Sequence, residues 1–166
     1  KNRLQFSDEI NHAVHNALKE EGFKPAGYNV IHFRLGDQNS FSDHSKNLED
    51  LYKDCLSRCF IATLEDKKPI IVLSDSNGLK DFLSKNKKDL PIHILHLESN
   101  HMQSKPSGFS GEIETTDEGL FYAVFDMKLV TLANSVESYS IYNHGSGFVY
   151  WIAKIFGVPV KLNLIK

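Results

Sequence analysis

The stretch "YNVIHF", residues 28–33, decides how this chain folds. Tyr, Val, Ile and Phe favour extended backbone, and the run is apolar almost without a break instead of alternating with polar residues. A strand with one face in water alternates, whereas a strand covered on both faces does not, so this segment predicts a central strand of a parallel sheet. "PIIVLSD" (69–75) repeats the pattern, apolar until its end. "LPIHILHL" (90–97), "VESYSIY" (136–142) and "VPVKL" (158–162) supply a third, fourth and fifth strand.

Helical patterns lie between these runs. Ser7 predicts an N-cap for a helix over about residues 8–21, with acids in its first turn, Lys19 late and Gly22 as its stop. Ile10, Val14, Ala17 and Leu18 form its apolar stripe. A second helix spans about 48–64, with Leu51, Cys55, Cys59 and Ala62 on one side. "NGLKDFLSKN" (77–86) is a short third helix. Thr115 or Thr116 caps a long fourth helix, whose core side reads as Leu120, Val124, Met127 and Leu132. "GSGFVYWIAKIFG" (145–157) is the last. The twenty residues 98–117 show no periodicity, the mark of a functional or mobile loop. Strands alternating with helices predict a three-layer, Rossmann-like α/β domain with a parallel sheet in the order 3-2-1-4-5. In such sheets ligands bind at the carboxyl ends of the strands, beside the point where the strand order reverses.

Bulk composition agrees with one folded domain. The 166 residues are 41% hydrophobic and 24% charged, with a formal net charge of −2, which places the chain in the ordinary globular class. Basic residues are scattered, with clusters only at Lys67 and Lys68 and at Lys85, Lys87 and Lys88, so a nucleic-acid footprint is not supported. No apolar run reaches the roughly 18 residues that a membrane helix needs. The chain begins at Lys1 and not Met, as a processed protein or a piece of a larger one would, and a signal or anchor would be missing with the rest. Cys55 and Cys59 stand four apart on a helix, a spacing poorly shaped for a disulfide and too few for zinc. They read as reduced, buried thiols, consistent with a reducing, cytoplasm-like compartment.

Chemistry gathers at the predicted strand ends. Arg34 follows the first strand and precedes Gly36, which lets the backbone turn sharply and a ligand approach. A guanidinium there offers its fork to a carboxylate or phosphate. Asp37 either pairs with Arg34 and merely closes the loop or leaves Arg34 to a ligand, and local spacing does not choose. His32 shares the face of Arg34 and reads as a satisfied core group or a neighbour of that ligand. Ser74, Asp75 and Ser76 suit a polar ligand or an ordinary capped connection. In "HGSGF" (144–148), Gly145 and Gly147 bracket Ser146 before an apolar helix, so either the first-turn amides and the hydroxyl await an anion or the glycines serve a tight turn. The stretch is neither a Walker A loop nor a dinucleotide fingerprint. His93, His96 and His101 suggest a metal cluster, but three-residue spacing on a strand turns His93 and His96 to opposite faces, so no metal is expected. No Gly-x-Ser-x-Gly elbow is present, which disfavours acyl-enzyme chemistry. The acidic cluster of a phosphate-handling hydrolase or receiver-like domain is missing from the first strand end.

Taken in order, "HFRLGD", "IIVLSDSNGLKDFL" and "DMKLVTLANSVESYSIYNHGSGFVYWIAKIFGVP" resemble the fucosyltransferase superfamily, the α-1,2-, α-1,6- and protein O-fucosyltransferases. Its motifs are H-x-R-x-G-D, a strand ending in Thr/Ser-Asp, and an Asp-bearing helix leading to Ser-x-Phe before a helix. The resemblance spans residues 30–160. It implies the carboxyl-terminal, donor-binding half of a GT-B glycosyltransferase that binds a nucleotide sugar, usually GDP-fucose, and transfers the sugar with inversion to a glycan or other hydroxyl acceptor without a metal or cofactor. On that mapping Arg34 clamps the β-phosphate, His32 approaches the nucleotide, and Asp126 contacts its base or ribose. Ser146, Gly147 and Phe148 meet the phosphates and ring region, with Gly36, Ser74 and Asp75 lining the same site. Asp37 reads as fixing the loop or serving the reaction, and Asp43 is a candidate base. Leu35 stands where several relatives carry a second arginine, and Gly145 to Phe148 depart from a Ser-Ser-Phe-Ser pattern, so the sugar is open. On that mapping the family's amino-terminal, acceptor-facing half is expected to be absent from the sequence or abbreviated. The alternative is a non-catalytic Rossmann-like module that binds a nucleotide, a phosphorylated ligand or a partner protein.

Overall fold

A computed structural model describes residues 5–36, 48–96, 117–143 and 145–165. Five parallel strands form one sheet in the order β3-β2-β1-β4-β5: β1 (Asn29–Arg34), β2 (Ile70–Ser74), β3 (Ile92–His93), β4 (Val136–Ser140) and β5 (Val160–Leu164). The helices are α1 (Asp8–Glu20), α2 (Leu48–Glu65), α3 (Asn77–Asn86), α4 (Asp117–Leu132) and α5 (Gly147–Phe156). This is the α/β, Rossmann-like arrangement that the sequence predicts, with the same strand order.

Alternation along β1 divides the core in two. Tyr28 and Val30 face one layer with α1, α4 and α5, joined by Ile71, Leu73 and Val136 from the neighbouring strands. Ile31, Phe33 and Leu35 face the other with α2 and α3, joined by Ile70, Val72 and Tyr139. Both faces of β1 are therefore dry, which is why its sequence does not alternate. Cys55 and Cys59 are buried free thiols in the second layer, and burial raises both pKa values, that of Cys59 to about 12.

Local signals account for the helix ends. Ser7 Oγ accepts from the Ile10 amide at 3.4 Å, and Asp8 and Glu9 stand at the positive end of α1. After Glu21, Gly22 takes φ 73° and the Phe23 amide returns to the Leu18 carbonyl at 2.7 Å, closing the helix. Ser76 caps α3 through the Leu79 amide at 3.2 Å.

A polar hub sits at the base of the sheet. Asn29 donates through Nδ2 to Asp66 at 2.8 Å, while its Oδ1 accepts from Asn134 Nδ2 and Ser135 Oγ, each at 2.9 Å. One side chain at the start of β1 thus binds the segments that enter β2 and β4.

The structure also corrects the reading in places. Among the described residues of "LPIHILHL", Ile92 and His93 alone pair as a strand, and the chain bends at Leu95. The fifth strand runs to Leu164, beyond the expected end. On α4 the buried side is Phe125, Leu129 and Val130, with Phe121, Val124, Met127 and Leu132 packed partly against it, whereas Leu120 is exposed. That helix is apolar on most sides, so its pattern does not single out a face. The expected cap at Thr115 or Thr116 and the loop 98–117 up to Thr116 lie outside the described residues.

Candidate functional site

The strand order reverses between β1 and β4, and the carboxyl ends of these strands open a crevice beside β2. Arg34 ends β1 and Asp75 follows β2 at this point, with His32, Ser138 and Ser140 buried in β1 and β4. Continuing the alternation set by Val30, Leu73 and Val136, they share the α4 and α5 side.

Arg34 stands at the rim with 42% of its side chain exposed. Its Nη1 lies 3.5 Å from Asp75 Oδ2, and its guanidinium carbon is 5.8 Å from the centre of the Tyr142 ring in the loop after β4. It thus spans the reversal point, with a carboxylate on one side and an aromatic ring on the other. Asp75 also ties down the loop after β1: Oδ1 accepts from the Leu35 amide at 2.7 Å and Oδ2 from the Gly36 amide at 3.0 Å. Gly36 has φ 74°, a conformation that favours glycine. Asp75 thus anchors the described start of this loop, and Asp37, Asp43 and His101 lie outside the described residues.

His32 is enclosed, and its Nδ1 is 3.0 Å from Ser138 Oγ. Burial drives its pKa down to about 4, against the pull of Asp75 and Asp126, so the imidazole is neutral at ordinary pH. Ser74 is a structural group: its Oγ donates to the Phe33 carbonyl at 3.0 Å and accepts from the Ser76 amide at 3.0 Å. Of the two readings of "SDS", the capped connection describes Ser74 and Ser76, while Asp75 looks across to β1.

The α5 end of the crevice differs. Gly145 adopts φ 67°, bringing its amide to the Tyr142 carbonyl at 3.0 Å. Ser146 stands at the N-cap of α5 but makes no side-chain cap bond, and its Oγ is buried without a hydrogen-bond partner among the described residues. A buried hydroxyl normally finds a partner, since leaving it unpaired costs free energy. A Cβ on Gly147 would meet nothing within 4 Å, so the first turn opens on free space. Phe148 turns to the core. The arrangement provides amides, a helix dipole and an unused hydroxyl, the requirements of an anion.

A third group joins Asp126, expected from the resemblance, to Lys80 and His96, which the sequence reading did not place in the site. Asp126 on α4 accepts at Oδ1 from His96 Nε2 at 2.7 Å, and His96 Nδ1 lies 3.4 Å from Lys80 Nζ on α3. Lys80 is fully buried, and burial lowers its pKa while Asp126 and Asp75 oppose the shift. A signal was available: Ser76, Leu79, Lys80 and Leu83 occupy the i, i+3, i+4 and i+7 positions of the buried stripe. His93 instead meets Glu21 Oε2 at 2.6 Å and the edge of Phe23. Among the described residues, no three His, Cys, Asp or Glu side chains are grouped to hold a metal, and no helix is long and apolar enough to cross a membrane.

A cavity of about 490 Å³, lined by Lys19, Phe23, Lys24, Lys128 and Leu132 among others, opens where α1 ends and β1 begins. It is at the opposite end of the sheet from the crevice, so the crevice is identified by its chemistry, not by enclosed volume. No protein-family model matches this chain, and no curated protein matches it either.

Proposed function

We propose that this chain is a fucosyltransferase-like glycosyltransferase domain that binds a nucleotide sugar, GDP-fucose in the first instance, in the β1–β4 crevice. Two observations together carry the reading: a half-exposed guanidinium, Arg34, at the end of β1, and a Ser146 hydroxyl with no hydrogen-bond partner among the described residues at the open N-terminus of α5. The guanidinium can only donate and the hydroxyl has a proton to give, so both suit a diphosphate. Arg34 takes the β-phosphate in place of its weak contact with Asp75. As the bond between sugar and phosphate breaks with inversion, charge accumulates on the leaving diphosphate, and donors already fixed in place stabilise it. A single preorganised donor of this kind is worth about 10²–10³ in rate. Asp126 meets the base or ribose, and neutral His32 supports the floor beneath the nucleotide. The ordered motifs add the resemblance to metal-independent enzymes.

A second reading, a non-catalytic module that holds a nucleotide or phosphorylated ligand, draws on a different observation. Both described carboxylates at the crevice, Asp75 and Asp126, already accept hydrogen bonds. Neither is a ready base for an acceptor hydroxyl.

Titration with GDP, UDP, dTDP and their sugars by calorimetry tests the proposal. Saturable binding of one nucleotide, weakened at least about 10-fold in Arg34→Ala, is expected. Binding of none, or equal affinity in the variant, overturns it. Binding without sugar transfer or donor hydrolysis, with glycan acceptors supplied, selects the second reading.

A further inference from the structure

Lys80, His96 and Asp126 come from three separate elements and form a chain with a direction. The Lys80 side chain is fully buried, an arrangement that is costly for an ammonium unless it is paired. Burial lowers its pKa, and the nearby Asp126 and Asp75 carboxylates oppose that shift in favour of the charged form. An ammonium only donates, so His96 Nδ1, 3.4 Å away, is the acceptor and the ring proton sits on Nε2. That proton is donated to Asp126 Oδ1 at 2.7 Å. The ring cannot readily turn over. Tyr122 stacks on it with centroids 4.7 Å apart and Phe125 meets it edge-on at 5.7 Å, both from the helix that carries Asp126. Among the described residues, the other Asp126 oxygen takes no hydrogen bond.

We propose that Lys80 and His96 are positioning residues: they lock one histidine tautomer and thereby hold the Asp126 carboxylate in a single orientation, with its second oxygen left to accept from the nucleoside of the ligand. This rests on the reading of Asp126 as the nucleoside contact. It assigns the two residues a role that neither motif nor composition suggests, and it separates two parts of the site. Arg34 and Ser146 hold phosphates, whereas the Lys80–His96–Asp126 chain sets how the nucleoside is held.

The test compares GDP with inorganic pyrophosphate, which has no nucleoside, alongside the His96 tautomer read from ring nitrogen shifts in solution NMR. In the native protein Nδ1 is expected to be unprotonated and Nε2 protonated. Lys80→Met should release the lock, giving a mixture of tautomers, and weaken GDP about 10-fold while pyrophosphate affinity stays the same. Lys80→Arg, which keeps a cationic donor, should retain the native tautomer. Equal losses for GDP and pyrophosphate, or no change in either, overturn the proposal. So does a proton on Nδ1 in the native protein, a measurement that decides even where Lys80→Met does not fold. If the native protein binds pyrophosphate but not GDP, the nucleoside role falls with it. If it binds neither, the functional reading itself has failed.

Discussion

Replacing Asp75 by alanine should damage the fold far more than replacing the arginine it faces. The Asp75 carboxylate accepts from the amides of Leu35 and Gly36 at 2.7 and 3.0 Å, both in buried residues at the end of β1. Alanine leaves two donors without that acceptor, and each unsatisfied buried donor costs about 1–3 kcal/mol. Water entering from the crevice recovers part of this, so the expected loss is about 2–4 kcal/mol, a sizeable share of the roughly 5–15 kcal/mol of a typical domain. For a chain of this length that corresponds to a fall in Tm of roughly 4–16 °C. Arg34→Ala removes a 3.5 Å contact with Asp75 and a 5.8 Å approach to the Tyr142 ring from a side chain 42% exposed, and a pair so exposed contributes about 0–1 kcal/mol once solvent screening is counted. Asp75→Asn should fall between them, since its amide oxygen can still serve one of the two donors. Urea denaturation followed by circular dichroism measures all three. An Asp75→Ala protein that loses under about 0.5 kcal/mol, or an Arg34→Ala protein that loses as much, would refute the assignment of Asp75 as the loop anchor.

Ser146→Ala should leave stability unchanged or raise it by up to about 1 kcal/mol, because no hydrogen bond is lost with the hydroxyl, while weakening phosphate-bearing ligands. A clear loss of stability would show that Oγ is bonded after all. His32 has a folded pKa of about 4 against about 6.5 when unfolded, so the folded state binds fewer protons between these values. Its contribution is complete above about pH 6.5 and is lost as pH falls toward 4, roughly 3 kcal/mol at the lower end, and His32→Gln should remove that slope from the stability profile. Gly78→Ala, ordinarily favourable in a helix, should destabilise by about 1 kcal/mol, because its Cβ would lie 2.5 Å from Tyr52 Oη, which contacts Ser76 Oγ at 3.2 Å. In a Tyr52→Phe background the same change should cost less, and strict additivity of the two would count against the clash.

The strand order and layering were legible because they depend on local properties. "YNVIHF" and "PIIVLS" report two-sided burial directly, and alternation with helices restricts the topology. Arg34, Gly36 and Ser146 stood out for the same reason, as polar or glycine positions that interrupt apolar runs. The role of Asp75 was not visible, since it bonds Leu35 and Gly36 across about forty positions and its own neighbourhood resembles an ordinary helix cap. His96 was misleading in another way. Strand alternation holds only as far as His93, and the bend at Leu95 delivers His96 to α4 and Lys80, a turn that periodicity cannot anticipate.

Asn29 at the foot of β1 and Asp75 near its head fasten the same strand at both ends, the first to the approaches of β2 and β4 and the second to the exit of β2. Strand separation is therefore an expensive way to widen the crevice. Adjustment falls instead to the rim, where Arg34 can exchange its weak contact with Asp75 for a better one without disturbing the backbone beneath it. A ligand arriving there meets a floor whose ordering entropy was spent during folding, and little of its binding energy need go into shaping the site.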